Sequence, residues 1–244
     1  MEIAYVHHDC FILFLEDSLN TAFLFDYPDA EHRPEEAAGY VRRQLAGRRV
    51  FCFFSHSHAD HFSSDVRGLL VDVDSAHYIV SEDVAVMAEA FDPDIHEDVS
   101  VVEPDQTITV EELAITGYES TDLGVGFFIR LPGSTVWFSG DVARWSRDEQ
   151  DEAAQKFANA HFDKTLDALK SIAGRLDVAF AAADPRLPHW AGGLDVARVV
   201  RPRVLVPMHG FGRHDDMKKF AEAVGNSTPL FVYEKLGDRY RPSL

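Results

Sequence analysis

Residues Phe51 to Phe62 read FCFFSHSHADHF, an apolar run that gives way to His56, His58, Asp60 and His61 within six positions. Neutral imidazole and carboxylate are the ligand types that zinc takes, with manganese and iron as alternatives. A strand end leading into a tight turn can aim such residues into one pocket, whereas a continuous helix would scatter them around its axis. At this chain's own His and Asp frequencies, H-x-H-x-D-H arises by chance in roughly three sequences per thousand. The motif therefore outweighs the plainer reading, a surface loop rich in histidine.

The elements that must position this motif are read from the rest of the chain, where apolar strand-like runs include Val178–Ala183 and Val204–Met208. The surrounding pattern reads as strands at Ile3–Val6, Cys10–Glu16, Thr21–Asp26 and Val50–Phe54, with helices at 34–47 and, opened by Ser81 as a cap, at 82–90. Short strands are expected near 99–103, 107–110, 113–117, 126–131 and 135–139. A long charged helix is expected over 146–173, stopped by Gly174. Strand–helix alternation follows, with helices at 195–200 and 215–224 and a last strand at 230–234. Strands dominate the first half and alternation the second, which predicts an α/β protein with helices covering sheet faces.

The run Ser55-His-Ser-His-Ala-Asp-His61, with Asp26, Ser139-Gly-Asp141 and Pro207-Met-His-Gly210, resembles the metallo-β-lactamase superfamily over essentially the whole chain. The resemblance implies one domain spanning 1–244, a four-layer αββα sandwich with metal held at the sheet edges. It implies His56, His58, Asp60, His61, Asp141 and His209 as metal ligands, with Asp141 bridging. It also implies that Asp26 orients a ligand histidine from behind the metal shell. Within the superfamily, Val6-His-His-Asp-Cys-Phe11 and Asp184-Pro-Arg186 look most like the branch that contains ascorbate-6-phosphate lactonase, and Asp184 is placed with Asp26 behind the ligands.

The chain departs from that pattern in one place. A third histidine of the first metal site is expected shortly before Gly126, where this chain reads Gly117-Tyr-Glu-Ser-Thr-Asp-Leu-Gly124. Glu119 or Asp122 is the candidate substitute ligand, and a weak or empty first site, or water in the vacant position, are the alternatives. One or two ions remain open, with zinc expected and manganese or iron as alternatives. His7 and His8, in the first hairpin, are weighed between an approach to the pocket and structural hydrogen bonding. His32, His77, His96, His161 and His214 lack ligand spacing. Trp145 is expected to face the core, and Arg186 to pair with Asp184.

The chain has 244 residues, 46% hydrophobic and 26% charged, enough for a substantial core. Twenty-three basic against 41 acidic residues give a formal charge of −18. Such a surface repels phosphate backbones and anionic membranes, so nucleic acid and membrane partners are not expected, while a small molecule is. The start lacks a signal-peptide pattern, and Cys10 and Cys52 read as buried free thiols, so a cytoplasmic location is expected.

The resemblance implies a metal-dependent hydrolase of a small lactone, amide or phosphoester. Asp60 or Asp141 would orient an activated water and shuttle its proton. The competing expectation is a metal-binding scaffold or sensor whose chemistry went with the third histidine, and a redox di-iron role ranks behind both.

Overall fold

Thr21–Phe25 and, after Arg49, residues 50–54 place apolar residues, or a strand-favouring Thr, on both faces, the pattern of strands covered on either side. The computed structural model describes residues 1–91, 98–146, 151–172 and 176–243. These form two compact units, Met1–Val102 with Tyr233–Ser243, and Glu103–Val232.

The first unit is built on seven strands: β1 (Glu2–His7), β2 (Cys10–Phe14), β3 (Thr21–Phe25), β4 (Arg49–Phe54), β5 (Ser75–Val80), β6 (Val99–Val101) and, at the chain's far end, β13 (Arg239–Tyr240). Their order is β13-β1-β2-β3-β4-β5-β6. Pairing is antiparallel as far as β3 and parallel from β3 to β6, so the sheet is mixed. Helix α1 (Glu35–Leu45) carries Glu35 and Glu36 in its first turn and Arg42 and Arg43 in its last, each complementing the helix dipole. Its Ala37, Val41 and Leu45 pack with Ala22, Leu24, Val50, Cys52 and Phe54 of the sheet. On the opposite face Phe23 meets Phe51 edge-on at 5.8 Å, and Phe25 meets Phe53 at 5.2 Å. Helix α2 (Val66–Leu69) is a single turn, and α3 (Glu82–Phe91) follows β5.

The second unit holds β7 (Thr107–Val110), β8 (Leu113–Glu119), β9 (Val125–Leu131), β10 (Ser134–Phe138), β11 (Val178–Ala182) and β12 (Val204–Met208), in the order β12-β11-β10-β9-β8-β7. Strands β10, β11 and β12 are parallel, and the rest of this sheet is antiparallel. Helix α4 (Glu152–Ile172) buries Phe162, Leu166 and Leu169 against Phe128, Trp137 and Ala181. After β11 come a short 3₁₀ turn (Pro188–Gly192), α5 (Gly193–Asp195) and a π turn (Val196–Val200), and α6 (His214–Val224) adds Phe220 and Val224 to the same core.

The register places chemistry at one edge of each sheet. In the first unit, Phe11 pairs with Phe25 and Phe25 with Phe53, so the β1–β2 turn, Asp26 and Ser55 lie at the same edge. In the second, Phe138 pairs with Phe180 and Ala182 with Met208, which sets the segments around Asp141, Asp184 and His209 along one edge. Carboxyl ends of parallel strands are where α/β sheets bind ligands.

Several expected boundaries move. The expected last strand at 230–234 is only a parallel bridge between Leu205 and Leu230, and the terminal strand is instead β13, paired with β1. The long helix starts at Glu152 rather than Ser146, because the Asp151 carboxylate accepts the Ala154 N–H at 2.9 Å and caps it there. Its expected stop, Gly174, lies outside the described residues, as does His96. Ser81 opens α3 with its carbonyl, which accepts from Ala85 N–H at 3.0 Å. Its hydroxyl is buried without a hydrogen-bond partner among the described residues and does not cap. Cys10 and Cys52 are buried and unpaired, and burial pushes both thiols well above their ordinary pKa, so neither is a ready nucleophile. No helix among the described residues is long and apolar enough to cross a membrane.

Two outcomes follow from this packing. A Cβ on Gly126 would lie 2.6 Å from the Trp137 ring and 2.9 Å from the Ser139 carbonyl. Gly126→Ala should therefore destabilise the protein by about 1–3 kcal/mol, read as a lower urea midpoint. Strand β13 is clipped to β1 by Arg239 and Arg241 on Glu2. Burial raises the Glu2 carboxyl, but the two guanidiniums outweigh it and hold the pKa below its ordinary value. A depressed folded pKa gives stabilisation that is present at neutral pH and lost as pH falls through that value. Glu2→Gln should cost at most about 1 kcal/mol at neutral pH, and in acid the variant and wild type should converge.

Candidate metal centre

Asp26 sits just past β3 with its backbone in the left-handed region, φ 36°, and its carboxylate is fully buried. Its N–H donates to the Phe53 carbonyl at 2.9 Å, which ties it to the end of β4. Three donors converge on the side chain. Ser55 N–H reaches Oδ1 at 2.8 Å, Ser55 Oγ–H reaches Oδ2 at 2.8 Å, and His61 Nδ1 lies 2.8 Å from Oδ2. With its proton given to Asp26, the Ser55 hydroxyl is left to accept from His56 Nδ1 at 3.0 Å.

Tautomers follow from that chain of bonds. With Asp26 ionised, the bonds place the proton of both His61 and His56 on Nδ1, so each presents an Nε2 lone pair, the form in which imidazole binds a metal. His56 Nε2 is 3.0 Å from His58 Nδ1. His61 Nε2 is 3.9 Å from Asp60 Oδ2. Two ligand atoms on one tetrahedral zinc, each about 2.0–2.2 Å from it, lie roughly 3.3–3.5 Å apart, so both pairs are spaced to share an ion after small adjustments.

The motif loop is rigidly held. Tyr27 N–H donates to His61 O at 2.7 Å, Asp29 N–H to Ala59 O at 2.8 Å, and both His61 and Phe62 N–H to His58 O at 2.9 Å. Ser57 N–H donates to Asp83 Oδ2 of α3 at 2.7 Å. His56 and His61 are fully buried, whereas His58 is exposed and Asp60 half-buried.

The β1–β2 turn brings two further residues to this edge. His8 is buried with Nε2 at 3.4 Å from Asp60 Oδ2, and Asp9 is buried with Oδ1 at 3.7 Å from His8 Nδ1 and Oδ2 at 3.8 Å from His61 Nδ1. Asp9 escaped the sequence reading, and His8 stayed undecided between two roles. The usable signal was a two-residue turn between apolar strands spelled His-Asp, where Asn-Gly or Asp-Gly is the usual chemistry. Burial, with the Asp9 and Asp60 charges added, pushes the Asp26 carboxyl well above its ordinary range against the opposing Ser55 hydrogen bonds. A cation at His61 Nε2 would favour the charged form.

The second unit has its own set. Asp141 is buried in the turn after β10, where Val142 N–H donates to Ser139 O at 2.9 Å. Thr121 Oγ1 lies 2.9 Å from Asp141 O and accepts Ala143 N–H at 2.8 Å, and Trp145 Nε1 donates to Asp141 O at 3.0 Å. His209, with φ 62°, follows β12; its Nε2 is 3.6 Å from Asp141 Oδ1 and its Nδ1 is 3.3 Å from Asp184 Oδ2. Burial would raise Asp184, yet hydrogen bonds from His209 and Arg186 hold it far below the ordinary carboxylate range. Arg186 forks onto that carboxylate at 2.6 and 2.9 Å and lies over the Phe211 ring. The His209 ring has Trp145 at 5.0 Å and Phe211 at 4.7 Å, so Trp145, expected in the core, is half-buried beside a candidate ligand.

The candidate substitutes are placed differently. Glu119, half-exposed, has Oε2 2.6 Å from His161 Nε2, and Asp122 lies exposed in the turn after β8 with its N–H on Ser120 Oγ at 3.2 Å. Trp190 packs on Phe220 at 5.5 Å.

The family profile described as Beta-lactamase superfamily domain matches residues 29–210, and the chain belongs to this superfamily. No curated protein matches the chain. Among solved structures it is similar to YhfI of Bacillus subtilis, a metallo-β-lactamase fold protein, at 16% identity and TM-score 0.62, covering 98% of this chain and 99% of that one. It is also similar to the short form of human tRNase Z, at 12% identity and TM-score 0.58 with both chains fully covered. A third is CmlA, a diiron β-hydroxylase from Streptomyces venezuelae, at 17% identity and TM-score 0.53, covering 98% of this chain and 53% of that one. At such identities the likeness is one of fold: an α/β protein with two mixed sheets flanked by helices, matching the metallo-β-lactamase fold.

The Asp26 hub makes a sharp prediction. In Asp26→Asn, an amide NH₂ at the Oδ2 position would donate to His61 Nδ1 and drive that proton to Nε2, which then cannot ligate. Zinc affinity should fall about 10–100-fold, and imidazole ¹⁵N shifts should report the changed tautomer. Unchanged affinity would remove the hub from the account.

Proposed function

We propose that the chain is a metal-dependent hydrolase of a small molecule, a lactone, amide or phosphoester, and that 1–244 act as one domain. His56, His58, Asp60 and His61 from the first unit and Asp141 and His209 from the second are the proposed ligands, with Asp26 and Asp184 behind them. The observation that carries this reading is the buried His61, fixed by Asp26 at 2.8 Å with Nε2 turned toward Asp60. The family match spans residues 29–210 and so includes all six proposed ligands, which supports this ligand set.

When bound, a dication would supply Lewis acidity and lower the pKa of water to about 7. The residues do the rest. Asp60, half-buried, and Asp141, held by Thr121 and Trp145, orient the attacking water and accept its proton. Asp26 and Asp184 keep His61 and His209 in place. The mixed nitrogen and carboxylate donors suit zinc, with manganese or iron as alternatives, and one or two ions. No covalent intermediate is needed.

Val6–Phe11 and Asp184-Pro-Arg186 support a place near the ascorbate-6-phosphate lactonase branch. Two buried thiols suit a reducing, cytoplasmic setting. A second reading, a metal-binding scaffold or sensor, is favoured by one observation: Glu119, at the position of the missing third histidine, is engaged by His161.

The deciding experiment is a screen of esters, lactones, amides and phosphodiesters with zinc-, manganese- and iron-loaded protein. Turnover that disappears in Asp141→Asn, with the metal still bound, supports the hydrolase. Uniform inactivity of metal-replete protein supports the scaffold, and full activity of Asp141→Asn removes the site assignment.

A further inference from the structure

We propose that His8, in the first hairpin turn, is a metal ligand, binding through Nε2 the ion that Asp60 and His61 hold. The assignment rests on the metal-centre reading above and extends it with an imidazole that the H-x-H-x-D-H motif does not contain.

Geometry comes first. One ligand atom each from His8, Asp60 and His61 lies within 4.8 Å of the other two. The His8 Nε2 to Asp60 Oδ2 separation, 3.4 Å, is long for a charge-assisted hydrogen bond, which runs about 2.7–2.9 Å. It matches the edge of a tetrahedron around zinc, roughly 3.3–3.5 Å. The His8 and His61 rings meet edge to face at 5.2 Å. Both rings also have the same polarity. His61 turns Nδ1 to Asp26 and Nε2 toward Asp60, and His8 turns Nδ1 toward Asp9 and Nε2 toward Asp60. A carboxylate bonded behind Nδ1 is how metal-binding histidines are oriented; Asp26 does this for His61 at 2.8 Å, whereas Asp9, at 3.7 Å from His8, supplies charge on that side without a hydrogen bond.

The backbone is the second, independent observation. His8 has φ 53° in a two-residue turn between His7 and Cys10. Asn, Asp or Gly takes that conformation with less strain, and strained residues of this kind gather at functional sites. The turn is nonetheless well supported. His8 N–H donates to the Tyr5 hydroxyl at 3.3 Å, and Tyr5 stacks on Tyr233 at 3.8 Å. The full burial of His8 is hard to explain for a turn residue with a solely local role, since hairpin tips ordinarily face water.

Chemically, two neutral imidazoles and one carboxylate suit zinc or ferrous iron. The N-terminal hairpin thus supplies an imidazole to a chain that lacks the family's mid-chain histidine, but at the Asp60–His61 ion and not beside His56 and His58.

The test uses the full-length protein, stripped of metal and titrated with zinc against a chromophoric chelator, with zinc-edge X-ray absorption to count imidazole ligands. His8→Asn and His8→Gly both suit the left-handed turn, which offsets part of the packing lost with the buried ring, so the metal-free variants should still fold and melt cooperatively. Each should bind one zinc at least about tenfold more weakly, with fewer imidazoles per ion. Unchanged affinity and imidazole count in a folded variant would overturn the His8 assignment while leaving the wider metal reading intact. Wild-type protein that takes up no zinc would overturn both.

Discussion

The convergence of three donors on the buried Asp26 carboxylate governs the candidate metal-binding edge of the first unit. Through one oxygen it fixes His61 directly, and through the Ser55 hydroxyl it fixes His56. With Asp26 ionised, both imidazoles are thereby directed to the Nδ1–H tautomer. Preorganisation of this kind removes the cost of sorting tautomers and rotamers at the moment of binding. It also explains why an acid is tolerated at full burial: its lone pairs are matched by Ser55 and His61, and its charge by whatever cation His61 holds.

Each unit uses the same device to present its chemistry. In the first, β3 and β4 run parallel and in register, so Asp26 and Ser55 leave the sheet side by side. In the second, β10, β11 and β12 do the same for Asp141, Asp184 and His209. Left-handed backbone at Asp26 and His209 turns each chain sharply where its strand stops. Left-handed, non-glycine backbone of this kind gathers at functional sites, and both residues are candidates for one. The formal charge of −18 bears on long-range encounter and solubility, while the field at such an edge is set by the ion and its immediate carboxylates.

Much of this was legible in the sequence. Apolar runs stopped by Asp or His are visible as text, and the superfamily pattern of the motif loop pointed to the α/β fold. Boundaries were legible only where local chemistry decided them. The start of α4 was misplaced because Asp151, not Ser146, supplies the cap. Strand β13 was invisible because two residues carry no periodicity, and its place depends on Glu2, more than 200 positions away. His8 and Asp9 were hard for a related reason. Their proximity to Asp60 and His61 follows from the β2–β3 and β3–β4 registers, which no local spacing encodes. Trp145 faces a core cluster as expected, packing on Ala143, Ala182 and Ala191, but the sequence did not reveal that its ring also lies beside His209 and its indole N–H on the Asp141 carbonyl.

The central claim is that imidazoles and carboxylates at this edge are poised for a divalent cation. Anomalous diffraction from crystals grown with zinc, recorded on both sides of the zinc edge, tests it most directly. The account predicts a peak within about 2.0–2.2 Å of His61 Nε2 and an Asp60 carboxylate oxygen. A fully zinc-replete crystal with no peak there, or with His61 turned so that Nδ1 faces the ion, would contradict it.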